Sequence, residues 1–232
     1  MSIVLSHIDK KFGKQLALDQ VSFKIRKGEI VGFIGPNGAG KSTAMKIITG
    51  YIPPTSGEVW VNGMDAVEHS LEIRRIIGYL PESNPLYPEM YVREYLRYVA
   101  GLYRMGRNSP KLVENTLERT GLVPEAHKQI RALSKGYRQR VGLAQTLIHE
   151  PEILILDEPT SGLDPNQIIE IRNLISELGK EKTVMLSTHI LQEVAAICDR
   201  VIIIDKGKIV ADEAMKATTG IELEKKFRDL TS

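Results

Sequence analysis

Gly35-Pro36-Asn37-Gly38-Ala39-Gly40-Lys41-Ser42 lies between an apolar run ending at Ile34 and residues 42–50, whose pattern predicts a short helix stopped by Gly50. The spacing is G-x-x-x-x-G-K-[ST]. Its place between a strand and a helix is the one in which such a loop wraps a polyphosphate. Glycines at 35, 38 and 40 let backbone N–H groups turn inward, and the helix start adds its dipole toward the same anion. Lys41 has the reach for β- and γ-phosphate oxygens and Ser42 offers a hydroxyl to Mg²⁺. The stretch from Gly35 through Thr43 is therefore the expected phosphate contact.

Working outward, the next informative segment is Ile153-Leu154-Ile155-Leu156-Asp157-Glu158, an apolar strand that delivers two carboxylates at its carboxyl end. Ligands of open α/β sheets bind at that edge. Side chains alternate along a strand, so Asp157 and Glu158 are expected to point apart and take different tasks. Asp157 is assigned to the Mg²⁺ shell and Glu158 to an attacking water as general base. The bland alternative, two carboxylates capping the turn at Pro159, loses ground beside a phosphate loop.

The remaining pattern supplies the frame. Residues 2–34 read as strands, with Val21, Phe23 and Ile25 alternating against polar neighbours, and 59–61 read as a strand before Asn62-Gly63. From 88 to 149 the texture is helical, with helices predicted over 88–105, 110–120 and 135–149, each opened by a Pro or Ser signal. An inserted helical subdomain over about 86–150 of one 1–232 domain is expected. Strand and helix then alternate: a strand at 153–156, a helix over 165–178, a strand at 183–187, and a helix near 191–198. A hairpin over 201–211 turns at Lys206-Gly207. That order predicts an α/β fold with a parallel core sheet covered on both faces. The tail after Asp212 reads as a charged surface helix. Tyr91, Tyr95 and Tyr98 share one predicted helix face, which reads first as packing and second as a groove wall for a membrane partner.

Composition narrows the function classes. The chain has 232 residues, 42% of them hydrophobic and 26% charged, enough to bury a core without disulfides. The lone Cys198 sits in an apolar context that suits a buried thiol and a reducing compartment. A net charge of +2 lacks the basic footprint of a nucleic-acid groove. No run approaches the ~20 apolar residues of a membrane span, and the first residues turn polar at Ser6 and basic at Lys10 and Lys11, unlike a signal peptide. His7, His69, His127 and His149 show no metal-ligand spacing with Cys198.

Leu133-Ser134-Lys135-Gly136-Tyr137-Arg138-Gln139-Arg140 resembles the signature sequence of ATP-binding-cassette (ABC) proteins. Ser161-Gly162-Leu163-Asp164 looks like the D-loop of that family, His189 in Ser-Thr-His like its switch histidine, and Phe12 like its adenine-stacking aromatic. Together with the phosphate loop, these motifs cover about residues 3–211 in the family's order. The resemblance implies a P-loop NTPase of ABC type, with an N-terminal antiparallel β subdomain and an inserted helical subdomain. It implies an ATP-binding and ATP-hydrolysing subunit, working with Mg²⁺, whose Ser134, Lys135, Gly136 and Asp164 complete a nucleotide site on a second cassette. Each motif occurs once, which fits a homodimer. A separate transmembrane permease is the implied partner, with the subunit held at the cytoplasmic face of the membrane. The alternative is a soluble ABC ATPase acting on nucleic acid or ribosomes, but the long coiled-coil insertion or second cassette of such proteins is missing here.

Two departures stand out. Lys135 and Tyr137 replace residues of the usual Leu-Ser-Gly-Gly-Gln. The segment 77–82, read as a loop, offers Glu82 as a metal or water ligand where the family carries Gln; an ionised carboxylate accepts hydrogen bonds but cannot donate them. Both variants are similar to the ABC-2-type branch, which points to export, and residues 77–87 are similar to gliding-motility-associated ATP-binding subunits.

Overall fold

The computed structural model describes residues 1–215 and 220–231. The chain opens with an antiparallel hairpin, β1 (Ile3–Phe12) and β2 (Gln15–Ile25), and enters the central strand β3 (Ile30–Ile34) and helix α1 (Lys41–Ile48). Strands β4 (Ser56–Val61) and β5 (Met64–Asp65) extend the hairpin sheet, and α2 (Ser70–Ile76) runs directly into β6 (Ile77–Leu80). Three helices follow, α3 (Val92–Leu102), α4 (Ser109–Arg119) and α5 (Lys135–Leu147). The second half alternates β7 (Ile153–Asp157), α6 (Pro165–Gly179), β8 (Thr183–Ser187) and α7 (Leu191–Ile197), then closes with β9 (Arg200–Asp205), β10 (Lys208–Ala214) and α8 (Gly220–Leu230).

These strands form an antiparallel sheet of order β2-β1-β4-β5 and a six-stranded sheet of order β10-β9-β3-β8-β7-β6. In the second sheet β9, β3, β8, β7 and β6 run parallel, and only β10 is antiparallel to its neighbour. Every residue of β3, β7 and β8 is buried, which is why these strands read as unbroken runs rather than alternations. One core lies between the two sheets around α1, which contributes Ala44, Met45, Ile47 and Ile48; a second lies on the opposite face beneath α6, α7 and α8. Each fully buried Ile, Leu, Val or Met side chain contributes about 1.5–3 kcal/mol. A third core joins α3, α4 and α5 through Val92, Leu96, Val113, Leu117, Val141 and Ala144.

Three expectations need correction. The helix predicted over 88–105 is only Val92–Leu102, because residue 91 is extended and Tyr91 bridges to Gln129, while Arg104 takes a left-handed turn (φ 56). Tyr91 is therefore the cap of α3 rather than part of its tyrosine face, which consists of Tyr95 and Tyr98. Residues 77–80, read as loop, form the edge strand β6, pairing with β7 from Ile77↔Ile153 to Leu80↔Leu156. Its pattern was hidden by Gly78, which a side chain could not replace: a Cβ there would collide with the Thr146 carbonyl of α5. The predicted surface helix of the tail corresponds to α8, yet Leu223 is buried and Phe227 packs on the second core; residues 216–219 and 232 of that tail lie outside the described residues.

Candidate functional site

Parallel register brings the carboxyl ends of three strands to one edge, with Phe33 and Asp157 both paired to Ser187. The phosphate loop leaves β3 at this edge. Gly40 caps α1 with φ 110, a conformation open to glycine, and a Cβ there would sit 2.8 Å from the Ala17 carbonyl oxygen. Gly35 is equally tight: a Cβ would strike the Ile204 carbonyl oxygen. Lys41 is buried, and its ammonium donates to the carbonyls of Gly35 (2.7 Å) and Pro36 (3.1 Å), fixing a positive charge at the centre of the loop. Ala39 is buried behind the loop, and its N–H donates to the Pro36 carbonyl.

The two carboxylates diverge, for a reason strand alternation does not supply. Asp157 ends β7, and its Oδ1 accepts from Ser187 Oγ at 2.6 Å. Glu158 has left-handed φ 52, and its N–H donates to Ser187 Oγ at 3.0 Å, so this one buried serine braces both residues. The Glu158 carboxylate then meets His189: Nδ1 lies 2.7 Å from Oε2, with the imidazole 60% exposed and the carboxylate 9% exposed.

Phe12, Asn37, Gly38, Gly40, Lys41, Ser42, Thr43, Glu82 and Glu158 converge on one cavity of roughly 440 Å³. Gln15 and Ala17 complete its wall; sequence reading missed them, although Gln15 pairs with Phe12 across the β1–β2 turn. Ser187 was also missed, and only its position at the end of the neighbouring strand could have signalled it. The Ser42 hydroxyl and the Glu82 and Glu158 carboxylates, which line the cavity, are hard oxygens of the kind Mg²⁺ takes beside substrate phosphates; Asp157 is not part of its lining. No cluster of three or more His, Cys, Asp or Glu residues that could hold a metal occurs among the described residues.

Ser134, Lys135, Gly136 and Asp164 do not line that cavity. Ser134 caps α5 by accepting from the Tyr137 N–H at 3.4 Å, and Asp164 caps α6 by accepting from the Gln167 N–H at 3.0 Å. The two segments interlock: the Lys135 ammonium lies against Gly162, and the Gln167 side chain against Gly136. Lys135, Arg131 and Arg138 border a second cleft whose floor includes Glu82, Glu158 and Ser161. A third cleft is aromatic, with Tyr51, Tyr79, Tyr87, Tyr98, Leu102 and Tyr103 around it. Tyr87 makes edge contacts to Tyr95 and Tyr98 there, and burial pushes the Tyr95 hydroxyl up to about 12.

The ABC transporter family profile matches residues 18–161. The chain belongs to the ABC transporter family. The ABC transporter ATP-binding protein YdbJ of Bacillus subtilis (strain 168) is 38% identical over 216 residues, covering 91% of this chain and 68% of the relative. The bacitracin transport ATP-binding protein BcrA of Bacillus licheniformis is 39% identical, covering 91% and 70% respectively. The chain spans only 36% of the probable multidrug ABC transporter ATP-binding protein YbhF of Escherichia coli (strain K12), with 41% identity. Among solved structures, the ATP-binding cassette MJ0796 as a post-hydrolysis dimer bound to ADP and Pi is similar with TM-score 0.84 and 28% identity, covering 93% of this chain and all of the other. CbiO1 from Clostridium perfringens, part of the complex cbiONQ, gives TM-score 0.85 and 28% identity, covering 98% and 92%.

This ABC cassette is an ATP-binding subunit that hydrolyses ATP to ADP and phosphate. No helix among its described residues is long and apolar enough to cross a membrane. Cys198, the cassette's one cysteine, is buried among apolar groups, and burial pushes its thiol up, which suits packing rather than reactivity.

Proposed function

We propose that Gly35 through Thr43 hold the ATP triphosphate, that Phe12 stacks on adenine, and that Glu158 is the general base for hydrolysis. The Glu158 carboxylate takes a proton from water as that oxygen bonds to the γ-phosphorus. The bond from phosphorus to the β–γ bridging oxygen breaks, and ADP and phosphate leave. His189 orients the Glu158 carboxylate through the 2.7 Å contact and reaches the γ-phosphate with its exposed ring edge. Ser42, Asp157 and Glu82 would hold Mg²⁺, directly or through water, and the ion would neutralise charge on the β- and γ-phosphates.

The observation that carries this reading is the division of the motifs: one cavity gathers the phosphate loop, Phe12, Glu82 and Glu158, while Ser134, Lys135 and Gly136 stand outside it. A helix start attracts an anion, and Ser134, Lys135 and Gly136 lie outside the cavity of the phosphate loop. Two copies related by a two-fold axis would place each signature on the partner's triphosphate, with Asp164 near the same interface. The dimeric MJ0796 cassette supports that arrangement. Opening and closing of the pair would drive a transmembrane permease, and the aromatic cleft around Tyr87 and Tyr98 is the surface for it. Such a partner holds the subunit at the cytoplasmic face of the membrane. The names of two relatives, for multidrug transport and bacitracin transport, support export.

The test is dimer formation by the turnover-deficient Glu158→Gln chain. ATP should convert it to a dimer that crosslinks between residue 134 of one copy and residue 38 of its partner. A monomer at saturating ATP would sink the sandwich.

A further inference from the structure

One buried carboxylate has no part in the chemistry above. Glu193, on the first turn of α7, is 4% exposed. Its Oε2 accepts two hydrogen bonds, from Thr160 Oγ1 at 3.0 Å and from Thr188 Oγ1 at 2.8 Å. Both hydroxyls are themselves buried. Its other oxygen, Oε1, is buried with no hydrogen-bond partner among the described residues. A carboxylate held this way is a poor device for stability alone, because desolvating it costs free energy that apolar packing would not.

What the arrangement achieves is registration. Thr160 follows Glu158 by two residues and opens the segment Ser161-Gly162-Leu163-Asp164; Thr188 immediately precedes His189. A single oxygen therefore pins the loop after β7 and the loop after β8 to the same point on α7. The Glu158 backbone has a second brace in Ser187, whose hydroxyl and carbonyl both accept its N–H. The His189 ring is mostly exposed, and its one side-chain hydrogen bond among the described residues is to Glu158. Its anchor is Thr188, whose hydroxyl also accepts the Ile190 N–H at 3.0 Å.

We propose that Glu193 is a positioning residue for hydrolysis, setting the His189 ring against the Glu158 carboxylate through the Thr188 hydroxyl. The proposal rests on the assignment of Glu158 and His189 as the hydrolytic pair. Glu193→Gln keeps an oxygen that accepts from both threonine hydroxyls while removing the charge, so it separates the anchor from the charge. Glu193→Ala and Thr188→Val remove the anchor, and Thr188→Ser retains it.

Steady-state ATPase of the full chain with Mg²⁺, in the wild-type and His189→Ala backgrounds, tests this. In the wild-type background Glu193→Ala and Thr188→Val should each lower kcat about tenfold or more while KM for ATP stays within about twofold, since a misplaced group costs rate rather than binding. Glu193→Gln and Thr188→Ser should retain most of kcat. In the His189→Ala background neither Glu193→Ala nor Thr188→Val should cost anything further. An equal loss in both backgrounds overturns the proposal and leaves the site assignment standing. A His189→Ala chain with normal kcat overturns both. Thr188→Val changes shape little, so where Glu193→Ala fails to fold an unchanged kcat in Thr188→Val still overturns the proposal, and a loss confined to the wild-type background supports it.

Discussion

Glu158 Oε2 and His189 Nδ1 lie 2.7 Å apart, although 31 residues separate them in the chain. The contact exists because β7 and β8 are adjacent parallel strands that end level, and because Glu158 turns left-handed at φ 52 instead of continuing the strand. A residue held in that region by two hydrogen bonds to Ser187 is strained in a way that fixes where its carboxylate goes.

Replacing that carboxylate by an amide should separate binding from turnover. Glu158→Gln is expected to lower kcat by about 10²-fold or more, the scale of general-base contributions, while ATP still drives dimerisation. Phosphate release and size-exclusion chromatography check the two arms, and turnover at the wild-type rate would remove Glu158 from the role of base.

Lys41 bears on affinity. Its ammonium is presented by the Gly35 and Pro36 carbonyls, so Lys41→Ala takes a preorganised charge away from the triphosphate. Hydrogen bonds to charged groups contribute about 1.5–3 kcal/mol, which corresponds to at least a tenfold loss in ATP affinity by calorimetry. Unchanged affinity would overturn the phosphate-site assignment.

At the loop's last glycine, Gly40→Ala meets both a φ of 110 and a close approach to the Ala17 carbonyl. Strain of about 1–3 kcal/mol is expected, read as a lower Tm together with weaker ATP binding. A fully stable variant with normal affinity would show that this backbone can relax.

His149 should make stability depend on pH. Burial lowers its pKa from 6.5 to about 4, while its Nε2–H donates to the Ile77 carbonyl at 3.1 Å and its ring stacks on Tyr103 at 3.9 Å. Protonation would add an N–H at Nδ1, which is buried with no partner among the described residues. Between pH 6.5 and 4 the unfolded chain binds more protons than the folded one, so stability falls as pH falls. The contribution is on the order of 3 kcal/mol, full above 6.5 and lost near 4. Urea melts across that range should show the slope, and His149→Phe should flatten it; an unchanged slope would mean that other groups carry it.

The aromatic cleft should matter to coupling and not to chemistry. Tyr98 and Leu102 are exposed there, at 42% and 64%. Tyr98→Ala combined with Leu102→Ser is expected to leave ATPase of the isolated chain within about twofold, because surface changes away from a site perturb it little, while abolishing co-purification with the proposed permease partner. Retained co-purification would place the partner elsewhere.

Much of this was legible in the sequence because it is local. A glycine-rich turn, an apolar strand and a capping serine each act over a few residues, so the phosphate loop, β7 with Asp157 and Glu158, and the start of α5 at Ser134 were readable from order alone. Strand β6 was not, since Gly78 interrupts the pattern of a short segment that is extended because β7 pairs with it. The start of α3 was misread for a similar reason: Tyr91 is held extended by Gln129, a distant residue.

By itself, then, the sequence determined which chemical groups this protein owns and the order of elements that carries them, because backbone preference and hydrophobic period are short-range properties. Only the tertiary structure decided which groups meet: that Ser187 braces Asp157 and Glu158, that His189 closes on Glu158, that Gln15 and Ala17 wall the cavity, and that Glu193 joins two loops. Those contacts depend on strand register and helix docking, set by burial summed over the whole chain, which no short window of residues contains.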